Sequence, residues 1–451
     1  MNSLQSQNGK ISIHEPLEFE DNTSSEEIER RDILKRRELA ARILSRLGED
    51  DCPRVLGIYG GWGTGKTSLL NLLTQLNKQL PEREAGKICI QSIDAWKYEV
   101  TGSLFVPIIS AIVKFAKKEN LSSETHKKYL KRIGKFALLG VSDVVLRQLG
   151  LSIDDVKNLA QDARNESAAG ASYLDWENMV DEVKSTQDAF RELIQVSLNG
   201  LGKEQGYKPD RIVFCIDNLD RCSPENVVRL LESVKNFFDV PHCAWVFAMD
   251  SEVIASYIDH KYAGTKMDGN SYLDKIIPEQ YHLSLSPSMD KLNIVQWLRS
   301  VVNFELDLDE RNIPQLPHVL VPRRLIKSAS KLAELKRQSG GGGNVSDEIL
   351  FNLTLLYHVW PDFYQRFSSA SETHVSRILE LFFLSTVSTP TQPASVVDVV
   401  PNVMPFLKDY VEDKDLSYFL TTVFKEYPYS KDSFAHQLTN GFIGLRKVGL
   451  P

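Results

Sequence analysis

Residues 55–67 read VLGIYGGWGTGKT, in which a short apolar run leads into a glycine-rich turn that ends at Lys66 and Thr67. Gly60–Thr67 matches the pattern G-x-x-x-x-G-K-S/T in full, and it has the required context of an apolar strand before it and an apolar helix after it. Glycines allow the backbone N–H groups to turn inward around an anion, and the following helix points the positive end of its dipole at the same place. The stretch therefore predicts a phosphate-binding loop.

The residues of this loop have distinct predicted roles. Lys66 is expected to reach the β and γ phosphates of a nucleotide, and the Thr67 hydroxyl is expected to hold Mg²⁺. The ligand that the loop predicts is ATP with its magnesium ion. The candidate nucleotide contacts are Gly60, Gly61, Trp62, Gly63, Thr64, Gly65, Lys66, Thr67 and Ser68.

A second motif lies at residues 212–217, which read IVFCID. An apolar strand that ends in a carboxylate is the Walker B pattern, and Asp217 would bind the magnesium ion, through water. Many strands end in aspartate, so this motif gains its meaning from the complete phosphate loop upstream. Thr67 and Asp217 are thus the predicted metal ligands, and Lys66 and Asp217 are candidate catalytic residues.

Composition limits the class of protein. The chain has 451 residues, of which 42% are hydrophobic and 25% are charged, and this predicts two or three domains with a sizeable core. A formal net charge of −7 does not indicate a nucleic-acid partner. The five cysteines lack paired short spacing, which argues against a disulfide framework or a zinc site and indicates a reducing cytosol. Because the start is polar and no run of about 18 apolar residues occurs, we expect a cytoplasmic protein without a membrane-spanning helix.

Apolar strand patterns alternate with helical patterns from residue 55 to about residue 285. This alternation predicts an α/β fold with a parallel sheet covered by helices on both faces. The predicted strands are residues 55–59, 87–94, 211–217, 243–250 and 281–285. The predicted segments are a flexible lead-in at 1–26, an NTPase domain at 27–335 with a helical insert at 102–206, a glycine-rich linker at 336–345, and a mainly helical C-terminal domain at 346–451.

Several motifs together resemble those of the KAP family of P-loop NTPases. The sequence GGWGTGKTS at 60–68 contains the family's characteristic tryptophan, Trp62; DAW follows at 94–96, and IDNLDRC lies at 216–222. Further matches are AMD at 248–250, YLDKII at 272–277 and PRRLIK at 322–327. The resemblance covers roughly residues 25–335.

The resemblance implies a P-loop fold of the additional-strand type, in which strand 243–250 lies between the P-loop strand and the Walker B strand. Asp250 would then lie beside the γ-phosphate as a polar sensor. Many KAP proteins carry transmembrane helices between the two Walker motifs, whereas the insert of this chain has no apolar span. Arg324 matches the family's arginine-containing motif, and it either stabilises transition-state charge or serves as a surface or helix-start charge.

One position departs from the family pattern. The family usually has two adjacent acids where this chain has Asp217 followed by Asn218. An asparagine side chain can orient a water molecule, but it cannot accept a proton as a general base. Asp220 is the nearest substitute base and a candidate catalytic residue, and Asp94 at the end of the second strand is another. ATP binding therefore follows more directly from the sequence than fast hydrolysis.

Other charged and aromatic residues near these motifs favour structural roles. We expect Arg221 to pair with a nearby carboxylate, Trp62 to pack beneath the loop, and Trp96 to lie in the core. The stretch Lys114–Lys135 contains eight basic residues and predicts a solvated helix face. Its alternative is a peripheral contact with a membrane surface, which the apolar residues at 136–139 favour over nucleic acid.

Two functions from different classes fit the sequence. The first is an ATPase that works as a nucleotide-driven switch on a protein partner or effector, and the phage-exclusion members of the family suggest bacterial anti-phage defence. The second is an ATP-binding scaffold at the membrane surface that hydrolyses slowly or not at all. A nucleotide kinase ranks last because no second substrate pocket is evident. An arginine that acts across a subunit boundary would also imply an ATP-linked homo-oligomer.

Overall fold

The structure is a computed structural model in which the described residues divide into two compact units, one up to residue 283 and one from residue 284. The predicted lead-in up to residue 25, the middle of the predicted insert at 118–173 and the glycine run at 340–343 lie outside the described residues. The described residues are 26, 28, 32, 35–80, 88–101, 103–117, 174–205, 208–236, 239–283, 291–302, 304–309, 313, 316, 318–338, 345–387, 407, 410, 412–425 and 430–451.

The first unit is built on a parallel sheet. Its described strands are β1 (Val55–Tyr59), β2 (Ile88–Asp94), β3 (Arg211–Asp217), β4 (Cys243–Met249) and β5 (Glu279–His282). They pair in parallel in the order β2-β3-β4-β1-β5. The predicted α/β fold is confirmed, and β4 lies between the P-loop strand and the Walker B strand as the resemblance implies.

Side chains on the two faces of the sheet enter two hydrophobic cores. On β3, Phe214 and Ile216 face one core, while Val213 and Cys215 face the other. Strands β1 and β4 are buried along their whole length, which explains why their sequences are continuously apolar. The fully buried Trp245 of β4 stacks on Phe214 with ring centroids 4.9 Å apart and fills the centre of the first core.

Helices cover both faces of this sheet. Apolar residues of α1 and α2 complete one core, and those of α4 to α8 complete the other. Helix α4 and helix α5 are the described parts of the predicted insert, and they bury an apolar face against each other and the sheet. The described helices are α1 (Arg37–Leu47), α2 (Lys66–Gln79), α3 (Ala95–Tyr98), α4 (Phe105–Lys117), α5 (Leu174–Gln205), α6 (Pro224–Asn236), α7 (Ser251–Lys261) and α8 (Gly269–Ile276).

The second unit is helical in its described part. Helix α10 is tied to the helices that follow it: Lys336 Nζ lies 2.7 Å from a carboxylate oxygen of Asp347, and Lys331 Nζ donates to the carbonyl of Val448 at 2.8 Å. This unit therefore includes α9 and α10 and begins earlier than the predicted boundary at residues 335–346. Its helices are α9 (Lys291–Val302), α10 (Pro322–Gln338), α11 (Asp347–Val359), α12 (Pro361–Ser368), α13 (Glu372–Val387), α14 (Lys414–Val423) and α15 (Lys431–Lys447).

The cysteines and the possibility of a membrane-spanning helix were both considered in the sequence. All five cysteines carry free thiols, and burial raises the pKa of the Cys215 thiol to about 12. Among the described helices, none combines the length and the apolar character needed to cross a membrane.

Candidate nucleotide-binding site

The phosphate loop leaves the sheet at the carboxyl end of β1. The N–H of Gly60 donates to the carbonyl of Met249 on the neighbouring strand at 3.2 Å, and Leu283 N donates to Tyr59 at 2.7 Å, so both sides of the loop entrance are fixed. Gly63 and Gly65 have φ angles of 88° and 95°, which a side chain would strain. These two glycines allow the loop to wrap and then enter helix α2 directly.

Lys66 is the first residue of α2, and its ammonium group turns back over the loop. Lys66 Nζ donates to the carbonyl oxygens of Gly60 at 2.7 Å and Gly61 at 3.2 Å, and the side chain is almost fully buried. The Thr64 hydroxyl also donates to the carbonyl of Gly61, at 2.9 Å. A buried ammonium group at a helix N-terminus provides positive charge where a phosphate chain would lie.

The two predicted metal ligands are in direct contact. The Thr67 hydroxyl donates to a carboxylate oxygen of Asp217 at 2.5 Å, and the Asn218 N–H donates to the other oxygen at 2.8 Å. Burial raises the pKa of the Asp217 carboxyl, and these hydrogen bonds and the charge of Lys66 oppose that rise. Magnesium prefers oxygen ligands, and a cation would stabilise the charged form of a buried carboxylate. The residues present fit a bound magnesium ion.

Asn218 joins the ends of two neighbouring strands. It has a left-handed backbone with φ 60°, which asparagine tolerates better than most residues. Its side-chain amide donates to a carboxylate oxygen of Asp94 at 2.9 Å, and Asp94 lies opposite Asp217 in the register of β2 and β3. The asparagine that replaces the family's second acid thus holds a carboxylate supplied by the adjacent strand. Sequence reasoning named Asp94 but missed this contact, because it depends on which strands are neighbours.

Asp220 lies on a 3-10 turn at Leu219–Arg221, just after the Walker B strand. Its carboxylate oxygen is 4.0 Å from Lys66 Nζ. The Asp220 backbone carbonyl also accepts a hydrogen bond from the Tyr257 hydroxyl at 3.4 Å. The structure therefore brings Asp220 to the P-loop lysine, while Asp94 lies at the end of β2 beside Asn218.

Asp250 follows β4 and caps helix α7 by accepting a hydrogen bond from the N–H of Glu252 at 3.2 Å. A Cβ atom built on Gly61 would lie 3.8 Å from an Asp250 carboxylate oxygen, so Asp250 reaches the rim of the phosphate loop. Ser68 lies half-buried in the first turn of α2. Both residues thus sit around the loop where the sequence predicts nucleotide contacts.

The burial predictions for Trp62 and Trp96, beside the loop, were wrong. Trp62 and Trp96 are 66% and 52% exposed, rather than packed beneath the loop and in the core. Arg221 lies between them, with its guanidinium carbon 5.2 Å from the Trp62 ring centroid and 5.1 Å from that of Trp96. Within the described part of the chain, Arg221 forms no ion pair with a carboxylate. The apolar character of tryptophan favours burial in a sequence-based prediction, but this site places both rings at the surface, on the sides of one guanidinium group.

Arg324 belongs to the second unit, where it lies in the first turn of α10. Its guanidinium donates to the carbonyl of His318, and burial lowers its pKa. In the first unit, the predicted loop residues, Asp217, Asp220 and Asp250 come together around the carboxyl edge of the sheet.

Several known proteins are similar to this chain in sequence or fold. The model of the KAP family P-loop domain matches residues 39–308. The chain is 25% identical over 249 residues to the phage T7 exclusion protein of Escherichia coli K12, which covers 54% of this chain and 32% of that protein. It thus spans about a third of that relative's length. An uncharacterized protein of Methanocaldococcus jannaschii is 28% identical over 175 residues, 34% of this chain and 85% of that protein.

Among solved structures, the chain is similar to the ORC2 protein of Aeropyrum pernix in its ADP form, with 13% identity, a TM-score of 0.34, and coverage of 92% of this chain and 93% of that one. The ADPNP–ADP complexes of the same protein give the same identity and score, with 98% of that chain covered. The family match extends over more than half of the chain and includes residues 60–67 and 212–217. This protein therefore belongs to the KAP family of P-loop NTPases.

Proposed function

We propose that this protein binds Mg-ATP at the Lys66–Asp217 site and hydrolyses it as a nucleotide-driven switch. The observation that carries the proposal is the hydrogen bond between Thr67 and Asp217. Thr67 directly follows Lys66, whose ammonium group donates to a carbonyl oxygen of the phosphate loop. This arrangement joins a phosphate-binding charge to a pair of metal ligands. The phosphates would lie against the loop N–H groups and Lys66.

Each remaining residue has a proposed role. Thr67 and Asp217 would hold the magnesium ion, which supplies charge neutralisation for the transferring phosphoryl group. Asp250 would sense the γ-phosphate from the rim of the loop. Asp94 and Asp220 are the two candidate bases, and the geometry favours Asp94, because Asn218 orients it next to Asp217 while Asp220 faces Lys66. Arg324 is proposed to act on the phosphates from a second copy of the chain.

The test of the binding site is the affinity for ATP of the wild type and of Lys66→Ala, measured by calorimetry with and without Mg²⁺. Loss of the ammonium group should weaken binding by about a hundredfold or more, because a buried charged partner of the phosphates is removed. Circular dichroism should show an unchanged fold. Native affinity in this variant would refute the proposed phosphate site. GTP, measured in parallel, would show which base the site prefers.

A second candidate function is an ATP-binding scaffold with little or no turnover. The observation that favours it is Asn218, which occupies the position of the family's second acid. A wild type that binds Mg-ATP tightly but does not hydrolyse it, even with its protein partner, would support this alternative. The two functions share the binding site and differ only in the chemical step.

The biological setting that we propose is exclusion of a bacteriophage, since a relative that shares 25% identity is named for exclusion of phage T7. The test is phage plating on bacteria that express the chain, with Lys66→Ala as the matched control. Protection that disappears in the control would support a nucleotide-dependent defence role. Equal plating on all strains for a panel of phages would count against it.

A further inference from the structure

The Trp62–Arg221–Trp96 stack is a surface feature beside the phosphate loop. Its guanidinium lies within 5.2 Å of both indole centroids, a distance at which the ring faces attract a cation. Both indoles remain more than half exposed, so burial of apolar area explains little of their placement. Tryptophans at the surface next to a binding site call for another explanation than core packing.

The stack joins the three segments that carry the charged groups of the candidate site. Trp62 is in the phosphate loop, four residues before Lys66. Trp96 follows Asp94 by two residues and lies in α3, directly after β2. Arg221 ends the turn Leu219–Arg221, which Asn218 precedes. One guanidinium group therefore contacts the loop, the helix after β2 and the turn after β3 at the same time.

Other contacts join these segments two at a time. The loop is connected to β3 through the Thr67–Asp217 hydrogen bond, and β2 is connected to the turn through the Asn218–Asp94 hydrogen bond. Strands β2 and β3 also pair along their whole length. The contact of Arg221 with the two rings differs because it spans all three segments, so it adds to the alignment of the phosphate-binding groups with the carboxylates.

We propose that Arg221 is a positioning residue that holds the phosphate loop and the carboxylate-bearing strand ends of the site in one fixed arrangement. This inference rests on the proposed function, because it concerns the same Mg-ATP site. Arg221 touches neither phosphate nor metal in this role. It keeps the loop that grips the phosphates aligned with Asp217, which holds the metal that bridges to those phosphates.

The role has a consequence that separates it from simple stabilisation. ATP without magnesium is held by the loop and Lys66, so its affinity depends little on the position of β3. The gain in affinity on adding magnesium requires Asp217 and the loop to act together. Loss of the stack should therefore reduce the magnesium-dependent gain in affinity and leave the magnesium-free affinity nearly intact.

The experiment measures ATP affinity by calorimetry in EDTA and in excess MgCl₂ for the wild type, Arg221→Leu, Arg221→Lys and Trp96→Ala. Arg221→Leu and Trp96→Ala should each reduce the magnesium-dependent gain by about tenfold, the upper end of what a cation–π contact contributes. The double variant should be no worse than either single one, because both remove the same stack. Arg221→Lys retains a cation over the rings and should recover most of the gain.

Arg191→Leu is the matched control, since Arg191 is an exposed arginine of α5 whose partner is Asp188 on the same helix. It should keep the wild-type gain. Failure of the wild type to bind ATP at all would refute the proposed function itself. A wild type that binds ATP with no magnesium-dependent gain would likewise refute the proposed Mg-ATP site. An unchanged gain in Arg221→Leu, or an equal loss of affinity with and without magnesium, would overturn the positioning role alone.

Discussion

At the residue scale, two carboxylates compete for the role that the family's second acid usually plays. Asp94 is held by the Asn218 amide at 2.9 Å, whereas Asp220 lies 4.0 Å from the P-loop lysine. A positioned base contributes about a hundred- to ten-thousand-fold to a rate. The contact with Asn218 orients Asp94 for that task, and the contact with Lys66 makes Asp220 a partner of the phosphate-binding charge.

The first prediction compares these two residues. Asp94→Asn should lower single-turnover hydrolysis by about a hundredfold, with ATP affinity little changed, because it removes the base but no phosphate contact. Asp220→Asn should lower it by about tenfold, since it removes only a charge beside Lys66. Rapid-quench measurement of product formation checks both. If Asp220→Asn shows the larger loss, the base is Asp220 and not Asp94.

The second prediction concerns Asn218. Glycine accepts the left-handed backbone at this position, so Asn218→Gly removes the amide and keeps the local conformation. Hydrolysis should fall by about tenfold as Asp94 loses its orienting hydrogen bond. The family-like Asn218→Asp is the informative companion, because it would place a second carboxylate against Asp94 and favour a shared proton. A turnover in Asn218→Gly equal to that of the wild type would show that the contact has no catalytic importance.

At the scale of elements, much of the fold follows from the sequence. The stretch 211–217, which is apolar in its middle, is a strand with those bounds, because the part of a strand that is buried on both faces must be apolar. The position of β4 between β1 and β3 came only from the family resemblance, since local patterns do not encode which strands are neighbours. The exposure of Trp62 and Trp96 was missed for the same reason: it depends on Arg221, which is far away in sequence. The early start of the second unit depends on how α10 packs, which periodicity does not reveal.

The third prediction tests the packing of two helices. A Cβ atom on Gly269 at the start of α8 would lie 2.3 Å from the carbonyl oxygen of Ala255 in α7, so the helices approach too closely for any side chain. Gly269→Ala should lower the free energy of unfolding by about 2 kcal/mol or more, because backbone must move. Gly48→Ala is the control, since its nearest atom would be 3.4 Å away and its φ angle of −84° suits alanine. Equal urea midpoints for the two variants would contradict this account.

At the scale of the whole molecule, the stability of the second unit should depend on pH through His358. Burial, helped by the nearby charges of Lys327, Arg324 and Lys331, lowers the pKa of His358 from 6.5 to about 4. Between these values the unfolded chain binds more protons than the folded one, so stability rises with pH across this window. The contribution of neutral His358 to the free energy of unfolding is fully present above about pH 6.5 and is lost as the pH falls towards 4.

The fourth prediction follows from this sign. His358→Phe should flatten the fall in stability between pH 6.5 and 4 by on the order of 1 kcal/mol, after a discount for the partial exposure of the ring. The measurement is the urea unfolding of the second unit at several pH values. His374→Phe is the control, because His374 is exposed on α13. If stability fell with pH in His358→Phe as steeply as in the wild type, His358 would have the same pKa in the folded and unfolded states.

The fifth prediction concerns assembly. If Arg324 completes the site of a second copy, ATP should promote self-association, as an arginine supplied in trans does. Light scattering with a slowly hydrolysed ATP analogue should show a larger molar mass than without it, and Lys66→Ala should abolish the difference. An unchanged monomer under both conditions would remove the trans role and leave Arg324 as a residue of its own unit.

The strand order also determines when the sheet of the first unit can form during synthesis. Strand β1 ends at residue 59, but its two neighbours are β4 and β5, which begin at residues 243 and 279. Strand β2 likewise cannot pair until its neighbour β3, more than a hundred residues later, has been synthesised. A nascent chain therefore exposes the backbone edges of β1 and β2 until most of this unit has been synthesised. Such edges attract other strands, so we expect the growing chain to be prone to aggregation until β4 has been synthesised.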